Sequence, residues 1–160
     1  MMHLLDDAGV TSWADAALLA PAAFAAAEDA QRLMWERGDA TLLELARLRI
    51  AQLIGAVDAQ ALHSTRARAA GLTDEMVADL RQWPTSPHYG ERERVCLGLT
   101  EQFIIDVNGI TDEQVAAVVA AIGAAECHTF VSALWAFEQL QRVCLVLGVE
   151  PPAVHLGDPS

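Results

Sequence analysis

LELARLRIAQLIGAVDAQALHSTRARAAGLTD, residues 43–74, is the stretch on which the fold turns. Its apolar residues recur at helical spacing. Leu42, Leu45, Leu48, Leu53 and Ile54 form the apolar face of a helix expected over residues 40–54, and Gly55 ends it. A second helix is expected over residues 57–70, stopping at Gly71. Thr73, Asp74 and Glu75 then open a third, with a capping hydroxyl and two acids at its positive end. Ala56, Ala59 and His63 are spaced i, i+3 and i+7, so they share one face of the second helix. Asp58 sits near that helix's start, where backbone amides favour an anion. If the first two helices pack antiparallel, Glu44 faces the second.

Outward from this stretch the pattern stays helical, rich in Ala and Leu and poor in strand signals. Thr11 or Ser12 caps a short helix to about residue 20, and Pro21 suits the first position of a helix to residue 37. The helix opened at Thr73 runs to about Trp83, and residues 84–90, with two prolines, read as loop. A helix is expected over residues 91–107. Thr111 and Gln114 have capping-box spacing for a helix to Ile122. After Gly123 a long last helix covers residues 124–147, and Pro151-Pro152 begins an irregular tail. The expectation is an all-α bundle of about seven or eight helices. It forms one domain over residues 1–160, with residues 1–34 as an N-terminal helical extension.

Composition narrows the function classes. The net charge is -12, and all ten basic residues are arginine, so Schiff-base chemistry through a lysine side chain is excluded. Acidity disfavours nucleic acid and anionic membranes, though it equally serves to keep an alanine-rich chain soluble. No run reaches the ~20 apolar residues expected of a membrane helix. Residues 1–10 carry Asp6 and Asp7 without a basic residue, unlike a secretory signal, and the expected location is the cytoplasm. Cys96, Cys127 and Cys144 form no Cys-x-x-Cys pair, and each sits in largely apolar sequence, as buried reduced thiols do.

Residues 43–75 resemble the carboxymuconolactone decarboxylase/alkyl hydroperoxidase D-like family. There a glutamate precedes Leu-Arg-(apolar)-Ala-Gln-Leu-Asn-Gly-Cys-x-x-Cys-x-x-x-His. Here Glu44 matches the glutamate, residues 48–55 match the approach and His63 matches the histidine. Residues 70–75 match the helix exit, and residues 141–152 are similar to the family's closing helix and Pro-rich end, so the resemblance spans about residues 35–152. At the two reactive cysteine positions this chain has Ala56 and Ala59. The family cysteine ionises near a helix start and attacks peroxide, and the second closes a disulfide. Alanine can do neither.

The resemblance thus implies a non-redox member. One reading is a cofactor-free lyase or isomerase acting on a small organic acid or lactone, with His63 as acid/base, Glu44 as its partner and Asp58 as a further candidate. A histidine's reference pKa of about 6.5 suits proton transfer near neutrality. The second reading is a non-catalytic oligomeric module that binds a small ligand. The third is residual peroxidase activity through Cys127 or another cysteine. Plainer alternatives stand beside these. His63 can be a packing histidine bonded to Glu44, and Glu44 can pair with Arg47 or Arg49. Cys127 and His128, adjacent on a helix, point about 100° apart and make a poor dyad. No ligand spacing supports a metal site, and no cofactor is expected. The resemblance implies a homo-oligomer.

Overall fold

The computed structural model describes residues 9–157; Asp6 and Asp7 lie outside them. Among the described residues there is no strand. The helices are α1 (Trp13–Leu19), α2 (Pro21–Arg37), α3 (Ala40–Ile54), α4 (Val57–Ala61), α5 (Thr65–Ala69), α6 (Asp74–Ala78), α7 (Glu91–Ile105), α8 (Asp112–Ile122) and α9 (Ala124–Leu147). Short 3-10 turns follow at Leu80–Gln82, Val107–Gly109 and Ala153–Leu156.

The caps show why these bounds arise. Ser12, Asp39 and Thr111 each accept a backbone N–H in the first turn of the following helix. Thr111 and Gln114 complete the expected capping box. Gly55 and Gly148 end α3 and α9 in the left-handed region, where a side chain would be strained.

α3 is the axis of the fold. It packs on α7 and α9, α2 packs on α9, and α8 packs on α7 and α9. One face of α3 offers Leu42, Leu43, Ala46 and Ile50 to a core with Trp35, Leu99, Phe130 and Phe137. The opposite face offers Leu45 and Leu48 to a second core with Leu72, Leu80 and Leu97. α3 is therefore buried almost all round rather than along the single apolar face expected, while Leu53 and Ile54 are only half-buried. α9 is also long and apolar enough, by length and composition, to cross a membrane, with a mean hydropathy of 1.3, which the sequence reading missed. Its central place against α2, α3 and α8 accounts for that composition.

The helix expected over residues 57–70 is broken in two. Leu62 is extended, and Ser64 caps α5 by accepting from the Ala67 N–H. The helix expected to reach Trp83 also ends early, at Ala78, and continues as a 3-10 turn. The tail, expected to be irregular, carries a 3-10 turn that buries His155 completely.

His155 lies between two buried amides, with Nδ1 3.1 Å from Gln31 Oε1 and Nε2 3.2 Å from Gln141 Nε2. Gln31 Nε2 donates to the Ala136 carbonyl and Gln141 Nε2 to the Arg47 carbonyl. Both amides are oriented by those carbonyls, so Nδ1 carries the proton and Nε2 accepts. Burial, and secondarily the Arg47 charge, holds His155 well below its ordinary value of 6.5. The unfolded chain then binds a proton below that value which the native state refuses, so stability falls as pH drops through about 6.5. Urea unfolding at pH 7 and 5.5 is expected to show this loss, at up to ~1.4 kcal/mol per pH unit from this one group. His155→Gln is expected to flatten that part of the curve.

Candidate functional site

The break between α4 and α5 is made by a buried ion pair. Glu44 and Arg47, three residues apart on α3, are both fully buried. Arg47 Nε donates to Glu44 Oε2 at 2.7 Å and Nη2 to Oε1 at 2.8 Å, a bidentate fork. The guanidinium also donates to the carbonyls of Ala59 at 2.8 Å and Leu62 at 2.6 Å. Glu44 Oε1 in turn accepts the Ser64 N–H at 3.0 Å. Backbone groups freed where a helix stops need partners. Here one ion pair supplies them on both sides of the break, so residues 62–64 take an extended path that local propensity alone would not choose.

His63 lies on that path, not on the helical face predicted for it with Ala56 and Ala59. Its Nδ1 is 4.0 Å from Glu44 Oε1, beyond hydrogen-bond reach. That nitrogen is buried without a partner, while the side chain as a whole is 31% exposed. Glu44 and His63 are thus brought together, although Glu44's direct bonds go to Arg47 and Ser64. Arg49, the other possible partner of Glu44, pairs instead with Glu101 at 2.6 Å.

Asp58 is exposed in the first turn of α4 and makes no ion pair among the described residues. No ion pair joins it to His63 among the described residues. It lines a cavity of about 160 Å³ with Ala56, Ala59, Gln141, Cys144, Leu145, Gly148, Val149 and Pro151. His63 is absent from the lining of this cavity and of three others among the described residues. Ala56 and Ala59 are buried against Ala51 and Ile54, so methyl groups fill the space at the family's sulfur positions.

The thiol that shares a cavity wall with those alanines is Cys144. Cys127 lies with Cys96 in the core between α3, α7 and α9, and its neighbour His128 is exposed. Burial pushes the Cys96 and Cys144 thiols up to about 12 and raises Cys127 as well. All three are held in the unreactive, protonated form near neutrality. Among the described residues no group of three or more His, Cys, Asp or Glu side chains could hold a metal ion.

Two features escaped the sequence reading. Arg47 was visible as a neighbour of Glu44 but not as the group that breaks the following helix; the only signal was its i,i+3 spacing. Gln141 and His155 gave no signal, because their network joins elements over a hundred residues apart.

The carboxymuconolactone decarboxylase family model matches residues 20–102. The match begins within the segment expected to be an N-terminal extension, so α2 belongs to the matched region. No curated protein matches the chain. In structure the chain is similar to an Agrobacterium tumefaciens protein of unknown function, described as a candidate antioxidant defence protein AhpD. The two share 22% identity over 85% of this chain and 94% of that one, with a TM-score of 0.75. At that identity the likeness concerns the fold, which is the all-α arrangement expected. With more than half of its length matched by the family model, and with Ala56 and Ala59 in place of a Cys-x-x-Cys pair, the chain belongs to the carboxymuconolactone decarboxylase family.

Proposed function

We propose that this protein is a cofactor-free acid/base catalyst in which His63 moves a proton and Glu44 orients it. The observation that carries this reading is the unpartnered His63 Nδ1, turned inward to 4.0 Å from a carboxylate that cannot swing away. Inward Nδ1 beside an acid, with part of the ring open to solvent, is the arrangement a proton-transfer histidine needs. Such contacts are often long before substrate binds and shorten in the complex.

The substrate class is a small organic acid or a lactone. In a decarboxylation the bond between the carboxylate carbon and the ring carbon breaks and CO₂ leaves. Its electron pair passes to the conjugated carbon, and His63 delivers a proton there before recovering one from water. Asp58 is exposed and is given no part in that step.

We further propose that the protein works in the cytoplasm as a homo-oligomer, without nucleic-acid or membrane partners. Trp135, Val143 and Val146 lie along the outer side of α9 and are exposed, Trp135 by 56%. A row of this kind is usual at a contact between subunits.

The second reading, a non-catalytic binding module, draws on a specific observation: the cavity that Ala56 and Ala59 line does not have His63 in its wall. Residual peroxidase chemistry has less behind it, since every thiol is buried and held protonated. The test is turnover of small carboxylated lactones and β-keto acids by wild type and His63→Ala, followed by NMR. Product formed only by wild type supports the catalyst. Product formed equally by both removes His63 from the mechanism, and a ligand bound without product favours the module.

A further inference from the structure

Resting on the reading of the chain as a homo-oligomer, we propose that a second copy packs on the outer side of α9, antiparallel about a two-fold axis at Gln139. At about 100° per residue, Trp135, Gln139, Val143 and Val146 fall within about 40° of one line along α9. All four are exposed, Trp135 by 56% and Val146 by 59%. Glu138 and Arg142 flank this line on one side. On the other side Ala136 and Leu140 lead into a groove of about 180 Å³, shared with Ala23, Ala27 and Ala30 of α2. No charged side chain lines that groove. An apolar strip beside an uncharged groove gains free energy when it is covered.

Charge selects the cover. A net charge of -12 sets two copies against each other, so they can meet only where charge is absent or mutually paired. This face meets both conditions. A two-fold axis running between the two α9 helices, perpendicular to them at Gln139, pairs residues that lie equally far before and after it. Trp135 then lies at the level of the partner's Val143, and Ser132 at the level of the partner's Val146. The rotation sets the two uncharged grooves side by side. On the opposite edge, Arg142 holds Glu138 of its own chain at 2.8 Å. In this register it also comes within about 3 Å, along the helix axis, of the partner's Glu138.

A parallel pairing would instead set Glu138 against the partner's Glu138 and Arg142 against the partner's Arg142, like charge on like. The two charges therefore choose the antiparallel arrangement. A surface complementary to itself after a half-turn is what a closed dimer contact requires, and a partner of other sequence has no need of that symmetry.

The test is light scattering on the full chain, combined with oxidative cross-linking of variants that each add one cysteine. The natural thiols are buried. Gln139→Cys is expected to form a disulfide-linked dimer. Helix axes ~10 Å apart with a Cα radius of ~2.3 Å bring the two Cα atoms to about 5 Å, within disulfide reach. Ala116→Cys, exposed on α8, is expected to stay unlinked. Ser132→Cys and Val146→Cys, when mixed, are expected to link to each other and neither to itself. Trp135→Glu is expected to weaken self-association at least tenfold with helical content unchanged. An oligomer whose Gln139→Cys variant does not cross-link would overturn the α9 contact and leave the homo-oligomer reading standing. A monomeric wild type would overturn both, and Val146→Cys linking to itself would overturn the antiparallel register.

Discussion

Arg47→Met is expected to destabilise the protein by about 3–5 kcal/mol, the usual cost of removing one partner from a buried ion pair. Methionine keeps most of the volume, so packing is not the source of the loss. The variant leaves the Glu44 carboxylate buried with the Ser64 N–H as its remaining donor. It also strips partners from the carbonyls of Ala59 and Leu62. Glu44→Leu combined with Arg47→Met removes the stranded charge and is expected to recover part of the loss. Recovery stays incomplete, because the two carbonyls and the Ser64 amide still lack partners. Urea unfolding of the three proteins reads these differences, and amide exchange at residues 62–64 is expected to quicken in both variants. An Arg47→Met protein within 1 kcal/mol of wild type would mean that the ion pair does not hold the break.

His63→Ala is expected to lower turnover by about 10²–10⁴-fold, the range that a positioned general acid or base contributes. Its effect on the fold is expected to be small. The side chain is partly exposed, and its inward nitrogen has no hydrogen bond to lose. Helical content by circular dichroism should match wild type, which separates lost chemistry from lost structure. A fall in turnover paired with a fall in helicity would instead mark His63 as a packing residue.

Much of the fold was legible because its punctuation is local. Pro21 at the first turn of α2, Gly55 after α3, Thr111 with Gln114 before α8 and Gly148 after α9 each act through their own backbone. The break at residues 62–64 was not legible. Ala and Leu continue through it at helical spacing, and the groups that interrupt it reach over from α3. For the site, the pairing of Glu44 with His63 followed from family spacing, and the structure brings them near each other. The helical relation expected between Asp58 and His63 was lost where the helix broke. Once residues 62–64 leave the helix, periodicity no longer relates His63 to Asp58 or to the alanines. The placing of Cys144 at those alanines depends on how α9 crosses α3, which no local pattern records.

Consumption of tert-butyl hydroperoxide with dithiothreitol as reductant tests most directly whether sulfur chemistry has left this site. Wild type is expected to consume peroxide no faster than a variant with Cys96, Cys127 and Cys144 all replaced by serine. Protein-dependent consumption that disappears on replacing Cys144 or Cys127 alone would contradict the account.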